Sequence, residues 1–454
     1  MRIRKIAAMG LLGLGMSGCA SLPEKSTWQP PRELGEEFSD FRPPRDPRQE
    51  DAEPMRLEKP TGTLTLREAL TQGLMKNPEL KAFAWQVRAA EARVLQAGLL
   101  PNPALGVALE DFGGTGESSG IENSAATVSL SQLVELGGKR MKRTRIAGLE
   151  SDLATWDYEA KRLDVLTEIT VAYIEVLTAQ QRIALYRELV TVARQMQESV
   201  AERVLAGKVS PLEETKANIA LASSQIALER SRRNQEAARI VLAALWGSAE
   251  PGFEAVDGAL DEITAIPTVR ALTRHISQNP DIARWVTELA HRESVVDGEE
   301  SKRAPDIEVG GGIRRFEETN AVSLLLEISV PIPLHDGNQG GILEAKYNVA
   351  KGQEERRSAE MQVRMALAQA YASLSGSHVE VGKIREDILK GAQSAFDAAN
   401  EGYRQGKFNY LDVLDAQRTL FEVRAQYVEV LAEFHKSVAQ IERLVGLPLE
   451  QIKE

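Results

Sequence analysis

The chain has 454 residues, with 66 acidic against 55 basic side chains and a net charge of −11. That balance argues against nucleic acid as a partner, and a single cysteine leaves no disulfide to form within the chain. Aromatic residues are only 5% and small residues are abundant, which suits long packed helices better than a large globular core. The five histidines (His275, His291, His335, His378, His435) are scattered without metal-ligand spacing, and no metal or other cofactor is expected.

The first residues read as an export signal over 1–18. Arg2, Arg4 and Lys5 form the charged start, Ile6 to Met16 an apolar run too short to span a bilayer, and Ser17-Gly18 the small residues that follow. Met16-Ser17-Gly18-Cys19 resembles a bacterial lipobox, with Met16 where leucine is usual. That resemblance implies a lipidated (palmitate-bearing) Cys19, and Ala20 after it implies sorting to the outer membrane. The alternative is a plain secretory signal with an incidental cysteine. Gly13 to Gly18 formally matches a dinucleotide-binding glycine pattern, but it has no preceding strand and lies in the signal. Residues 19–62 contain Pro23, Pro30, Pro31, Pro43, Pro44, Pro47, Pro54 and Pro60, which disfavour helix and central strand. They read as an extended tether.

The rest of the chain is written twice. Leu70 stands seven residues before Asn77-Pro78, and Leu272 seven before Asn279-Pro280, at an offset of 202. Pro103-Ala104-Leu105 answers to Pro305-Asp306-Ile307 at the same offset. Further on the offset becomes 199: Gly207-Lys208 answers to Gly406-Lys407, Leu212 to Leu411, Ala217 to Ala416 and Gly247 to Gly446. Two equivalent units are expected, over 63–250 and 251–447, with a C-terminal tail at 448–454.

Each unit opens with a short helix, near Thr65–Met75 and Thr268–Gln278, ended by Asn-Pro because the residue before proline avoids the helical region. A second helix follows, near Glu79–Gly98 and Asp281–Glu300. The period then changes to two. Leu105, Val107 and Leu109 alternate with small or polar residues, as do Ala126, Val128 and Leu130 after a glycine-rich loop over Phe112–Asn123. In the second unit Ile307, Val309, Gly311 and Ile313 form one such run, and Val322, Leu324, Leu326, Ile328 and Val330 the other. Runs of this length with one apolar and one polar face match transmembrane β-strands; a half-buried soluble hairpin is the alternative.

Proline-free helical stretches follow, from about Gly138 to Leu205 and from Gln339 to Arg404, each about 100 Å long at ~1.5 Å per residue. Each turns at glycine-lysine into a return helix, near Leu212–Leu245 and Leu411–Leu444. The last carries a 3–4 spaced stripe: Val413, Ala416, Leu420, Val423, Tyr427, Val430, Phe434, Ser437, Ile441, Leu444. Such a stripe is a coiled-coil seam.

Two hairpins give four strands, and four strands cannot close a membrane barrel, whose smallest form has about eight. An open sheet edge in lipid leaves amides and carbonyls unsatisfied. If the strands span a membrane, the chain must therefore oligomerise, and the helices of the same subunits must form a hollow bundle on the barrel axis. These considerations do not choose between a dimer and a trimer.

The duplicated Asn-Pro, the two hairpin–long-helix units, and Gly402-Tyr403-Arg404-Gln405-Gly406 with Tyr410-Leu411-Asp412-Val413-Leu414-Asp415-Ala416 resemble the outer-membrane efflux protein (TolC) family over about Thr63 to Leu447. The resemblance implies a mainly α fold with a membrane β part. Duplicated units and long coiled-coil helices form an α-helical tunnel, and four strands per chain enter a twelve-stranded barrel of a homotrimer. It implies a passive exit duct in the outer membrane, with a long periplasmic part closed at its far end. The implied partners are a periplasmic adaptor, an inner-membrane pump of the resistance-nodulation-division type, and outer-membrane lipid. Leu100-Pro101-Asn102-Pro103 through Gly114, and Leu133-Val134-Glu135-Leu136-Gly137-Gly138-Lys139-Arg140, resemble the cobalt-zinc-cadmium type of heavy-metal exporter. Other cargoes within the family, drugs or proteins, remain open. From a different class, a non-conducting periplasmic coiled-coil lipoprotein scaffold remains open too. No nucleophile motif or phosphate loop points to an enzyme.

The resemblance also places Asp412 and Asp415, three apart on one helix face, at a periplasmic aperture as rings of carboxylates that attract cations; a solvated helix face is the plain alternative. It implies a hydrogen bond there from Tyr403 to Glu213, the residue answering to Asp412. Phe408 stands where some members carry an arginine, so one ionic latch is missing. Packing of Tyr403 in the coiled-coil seam is the alternative role.

Overall fold

The computed structural model describes residues 60–116 and 119–452. The export signal, Cys19, most of the tether and the last two residues of the tail lie outside them. Strand β1 (Gly62–Leu64) leads into helices α1 (Leu66–Lys76) and α2 (Pro78–Gly98). Strands β2 (Ala104–Glu110) and β3 (Ala125–Val134) follow, then helices α3 (Lys139–Leu205) and α4 (Pro211–Ala244). The second unit repeats this order. It has β4 (Phe253–Val256), α5 (Val269–His275), α6 (Pro280–Ser301), β5 (Ile307–Phe316) and β6 (Val322–Ser329). It ends with α7 (Gln339–Lys383), α8 (Leu389–Arg404) and α9 (Tyr410–Val445).

The Asn-Pro pair does more than end a helix. The Asn77 side-chain oxygen accepts from Leu80 N at 2.8 Å, capping α2, and its amide donates to Leu245 O at 2.7 Å. Asn279 accepts from Asp281 N at 2.8 Å and donates to Leu444 O at 2.9 Å. Each asparagine thus ties the start of its unit to the end of that unit's return helix. Both are buried, so at each junction one orphan N–H of the starting helix and at least one carbonyl of the return helix find a side-chain partner.

The hairpins β2–β3 and β5–β6 join through an antiparallel β3–β5 pairing into one sheet of order β2-β3-β5-β6. The helices continuous with these strands pack in the same order: α2 on α3, α3 on α6, α6 on α7. Farther from the sheet, α3 is flanked by α4 and α9, and α9 by α7 and α8. Within the described residues the sheet is therefore prolonged by a layer of helices, like one curtain. α3 alone has 67 residues, about 100 Å of unbroken helix.

Two features depart from the sequence-based expectation. The second long helix is not continuous: a π-helical turn over Ile384–Ile388 separates α7 from α8. The short helix of the second unit is α-helical only to His275 and ends in a 3-10 turn, Ile276–Gln278.

A further element was not anticipated. β1 and β4 pair in parallel at mid-length, joining the starts of both units. Helix α3 holds this pair by side chains. The Tyr173 hydroxyl lies 2.9 Å from Leu64 O and 2.5 Å from Asp257 O. The Gln180 amide accepts from Val256 N at 2.7 Å and donates to Val256 O at 2.9 Å, standing in for a third strand. Burial pushes the Tyr173 hydroxyl pKa up to about 12, so it stays protonated and donates. The apolar core here gathers Leu64, Val165, Ile169, Phe253, Val256 and Leu431.

Candidate functional site

The sheet has two chemically distinct faces. In register across the four strands lie Leu105, Leu130, Gly311 and Leu326, and beside them Val107, Val128, Ile313 and Leu324. Every large side chain in these rows is exposed, Leu324 to 87%. A continuous bare apolar face of this kind is what lipid covers. The opposite rows carry Ser131 and Glu327, and Thr127, Arg314 and Ser323, with Leu325 the apolar exception at mid-sheet. Arg314 forms an ion pair with Glu110 and donates to Thr127 Oγ1 at 3.0 Å. On the polar face the strands also approach closely at Gly312. A Cβ on Gly312 would stand 2.6 Å from Val128 O and 2.9 Å from Ser129 Cβ, so only glycine admits this backbone approach.

Where strand becomes helix, the Leu133–Arg140 segment has a structural explanation. Gly137 and Gly138 take φ of 69° and 70°, turning β3 into α3. Lys139 Nζ then reaches Asp306 of the second unit at 2.7 Å, and Asp306 also accepts from Leu136 N at 3.0 Å. Arg143 grips Glu135 at 2.6 Å and donates to Ala97 O at 3.0 Å, fixing the end of α2. The second unit makes the same turn with Asn338 at φ 57°, its amide 2.9 Å from Glu299 O.

At the far end the two glycine-lysine turns lie side by side. Lys208 N donates to Arg203 O and Lys407 N to Gly402 O, closing α3 and α8 alike. Tyr403 and Tyr410 are buried with ring centroids 6.2 Å apart, edge to face. Burial, then the charges of Tyr403 and Glu213, push the Tyr410 hydroxyl pKa up to about 12. Tyr403, Tyr410 and Glu213 thus share one cluster, yet the expected Tyr403–Glu213 hydrogen bond is not made. The Tyr403 hydroxyl and Glu213 Oε2 are both buried without a partner. The ring of Tyr403 is used instead: the Arg203 guanidinium stacks on it at 4.3 Å and donates to Arg404 O at 3.1 Å. Phe408 covers Gly402, where a Cβ would meet its ring at 2.2 Å.

Asp412 and Asp415 are exposed on the first turns of α9. Asp412 forms a capping box with Asn409: it accepts from Asn409 N at 3.0 Å. Cys19 lies outside the described residues. Sequence reasoning missed Arg203. Its signal lay in the repeat, since Arg203 answers to Gly402: the copies differ where the two tips touch. Among the described residues no three His, Cys, Asp or Glu side chains come together as metal ligands, and no helix is long and apolar enough to cross a membrane.

A model of the family described as outer membrane efflux protein matches residues 69–248 and again 271–447. The cobalt-zinc-cadmium resistance protein CzcC of Cupriavidus metallidurans is 34% identical, over 85% of this chain and 90% of its own. The nickel and cobalt resistance protein CnrC of the same organism is 28% identical over 67% of this chain and 72% of its own. Among solved structures, CusC superposes with a TM-score of 0.71 at 16% identity, covering 86% of this chain and 96% of that one. A membrane protein of Pseudomonas aeruginosa gives a TM-score of 0.72 at 21% identity, covering 84% of this chain and 90% of that one. With one family model recurring on both halves of a chain folded as sheet and helical curtain, this protein is a member of the outer membrane efflux protein family.

Proposed function

We propose that the chain is the outer-membrane exit duct of a tripartite efflux system, a passive homotrimeric channel whose cargo is heavy-metal cations. The observation that carries the channel reading is the four-stranded sheet with a bare apolar face, a polar face and two unpaired edges. Such a sheet is satisfied in lipid only when copies close it into a barrel. Three copies would supply twelve strands, with the polar faces lining water and the helical curtains forming a periplasmic tunnel below. The cation cargo rests on the likeness to proteins named for cobalt, zinc, cadmium and nickel resistance. A periplasmic adaptor would join the tip to an inner-membrane pump of the resistance-nodulation-division type, which supplies energy and chooses the cargo.

Reconstitution in planar bilayers tests the channel. Discrete conductance steps are expected; a protein that inserts yet never conducts is a scaffold and not a duct. The lipid anchor at Cys19 is tested separately: Cys19→Ser is expected to reduce the mature mass by the lost acyl groups. A native protein with no lipid mass refutes the anchor.

A further inference from the structure

Helix α3 carries a charged side chain every seven residues: Arg143, Glu150, Asp157 and Asp164, then from Glu168 on to Glu175 and Arg182. Seven residues are nearly two turns, so these positions form one stripe, about 60 Å long at ~1.5 Å per residue. Opposite charges face it along its length. Arg284 lies 3.2 Å from Asp157, and Arg443 2.7 Å from Asp164. Lys161 joins Glu168 to Glu79 of α2, Lys436 pairs with Glu175, and Arg182 with Glu429. Glu150 has Arg93 at 3.9 Å and His291 at 3.5 Å. The partners keep the same interval: Arg284 and His291 in α6, and Glu429, Lys436 and Arg443 in α9. The stripe is a ladder of ion pairs.

The ladder occupies one face of the helical layer. Tyr173 and Gln180, which hold the β1–β4 pair, stand two residues before Glu175 and Arg182 and so point about 200° away from them. The β1–β4 pair and the ladder therefore lie on opposite faces of α3. The ladder's face continues the polar face of the sheet. Glu135, just past β3, keeps the two-residue phase of Thr127 and Ser131, and it is Glu135 that Arg143, the first rung, grips. Water reaches the rungs, since Asp157, Asp164 and Glu175 keep 31%, 38% and 49% of their side-chain surface exposed. Ion pairs this exposed add little to stability, so folding alone does not account for a run of them.

We propose that the ladder is the wall of the tunnel over this stretch, and that its cations, Arg284, Lys436 and Arg443 foremost, keep the wall carboxylates from capturing the cations that pass. A ring of bare carboxylates attracts and holds cations, whereas conduction needs binding weak enough to release them. A carboxylate that already faces a guanidinium or an ammonium offers a divalent cation no net charge. What field remains is screened within a Debye length, about 8 Å at physiological salt. The inference rests on the channel reading above and adds what the wall does to a cation moving along it.

The test is conductance of the full chain in planar bilayers under a potassium chloride gradient, with zinc ions added afterwards. Arg284→Gln combined with Lys436→Gln leaves Asp157 and Glu175 unpaired. The reversal potential is expected to shift toward the potassium equilibrium potential, and zinc to lower the conductance more than in the parent. Arg284→Gln alone loosens one rung and should shift both readings less, in the same direction. Adding Asp157→Asn and Glu175→Gln to the double variant removes the freed charges and should restore the parent values, which a merely structural role of the cations would not do. A second measurement leaves every pair intact. Val171→Cys, one seven-residue step beyond Asp164, should lose conductance on treatment with a cationic methanethiosulfonate, while the parent, with Cys19 only, should not. A conducting channel whose reversal potential and zinc response are the same in the parent and in these Gln variants overturns the role of the ladder and leaves the channel reading standing. So does a Val171→Cys channel indifferent to the reagent. A parent that inserts and never conducts overturns both.

Discussion

At the tip, Tyr403 is gripped through its ring by Arg203 and Tyr410 while its hydroxyl is buried without an acceptor. Tyr403→Phe removes only that unsatisfied hydroxyl. It is expected to be neutral or to stabilise by about 1 kcal/mol in denaturant unfolding, with open probability unchanged. Tyr403→Leu loses the stacked cation, worth about 0.5–2 kcal/mol, and should raise the open probability in single-channel records. A Phe variant that opens the channel would mean that the hydroxyl acts after all. A second residue carries a pH signature. Glu442 accepts from Leu449 N at 2.8 Å, but burial raises its carboxyl pKa above the ordinary glutamate range. Its folded pKa exceeds its unfolded one, so its stabilisation is full at acid pH and is lost as pH rises through the raised value. Glu442→Gln keeps an acceptor and has no charge to bury. It should raise Tm at neutral pH, and its advantage should shrink on acidification. An advantage that is constant with pH would refute burial as the cause. Tyr403 was within reach of the sequence only in part, and Glu442 was not singled out there. The tyrosine could be placed at the tip, but its bond could not, because which partner it takes depends on how Arg203 and Phe408 fill the space around it.

Among the elements, the strands and long helices were legible because each repeats its own period over many residues. β1 and β4 were not: three and four residues are too few to show alternation, and their partners are side chains of α3 far along the chain. The π turn in the second long helix has no proline to announce it. The face assignment of the sheet makes a direct prediction. Leu326→Arg puts a charge on the apolar face and should cost roughly 2–4 kcal/mol near mid-membrane, seen as loss of a heat-resistant oligomer on gels. Ser329→Asp lies on the polar face and should assemble normally with altered conductance. Equal damage at both positions would refute the face assignment.

For the molecule as a whole, the proposed trimer brings the copies of Asp412 and Asp415 together at the tunnel mouth. Asp412→Asn with Asp415→Asn should weaken block by multivalent cations added on the periplasmic side of a planar bilayer. Asparagine at 412 keeps an acceptor for Asn409 N, so the cap survives and a loss of block reports charge. Block that persists unchanged puts both residues off the axis. The central β3–β5 pairing joins residues 125–134 to 307–316, with α3 and α4 between them. Each hairpin can form from local contacts, whereas this pairing must wait for the intervening helices to fold back and bring the halves together. Completion of the sheet is therefore a late kinetic event. Until the halves meet, each hairpin keeps its apolar face and its unpaired strand edges uncovered, the condition under which chains aggregate.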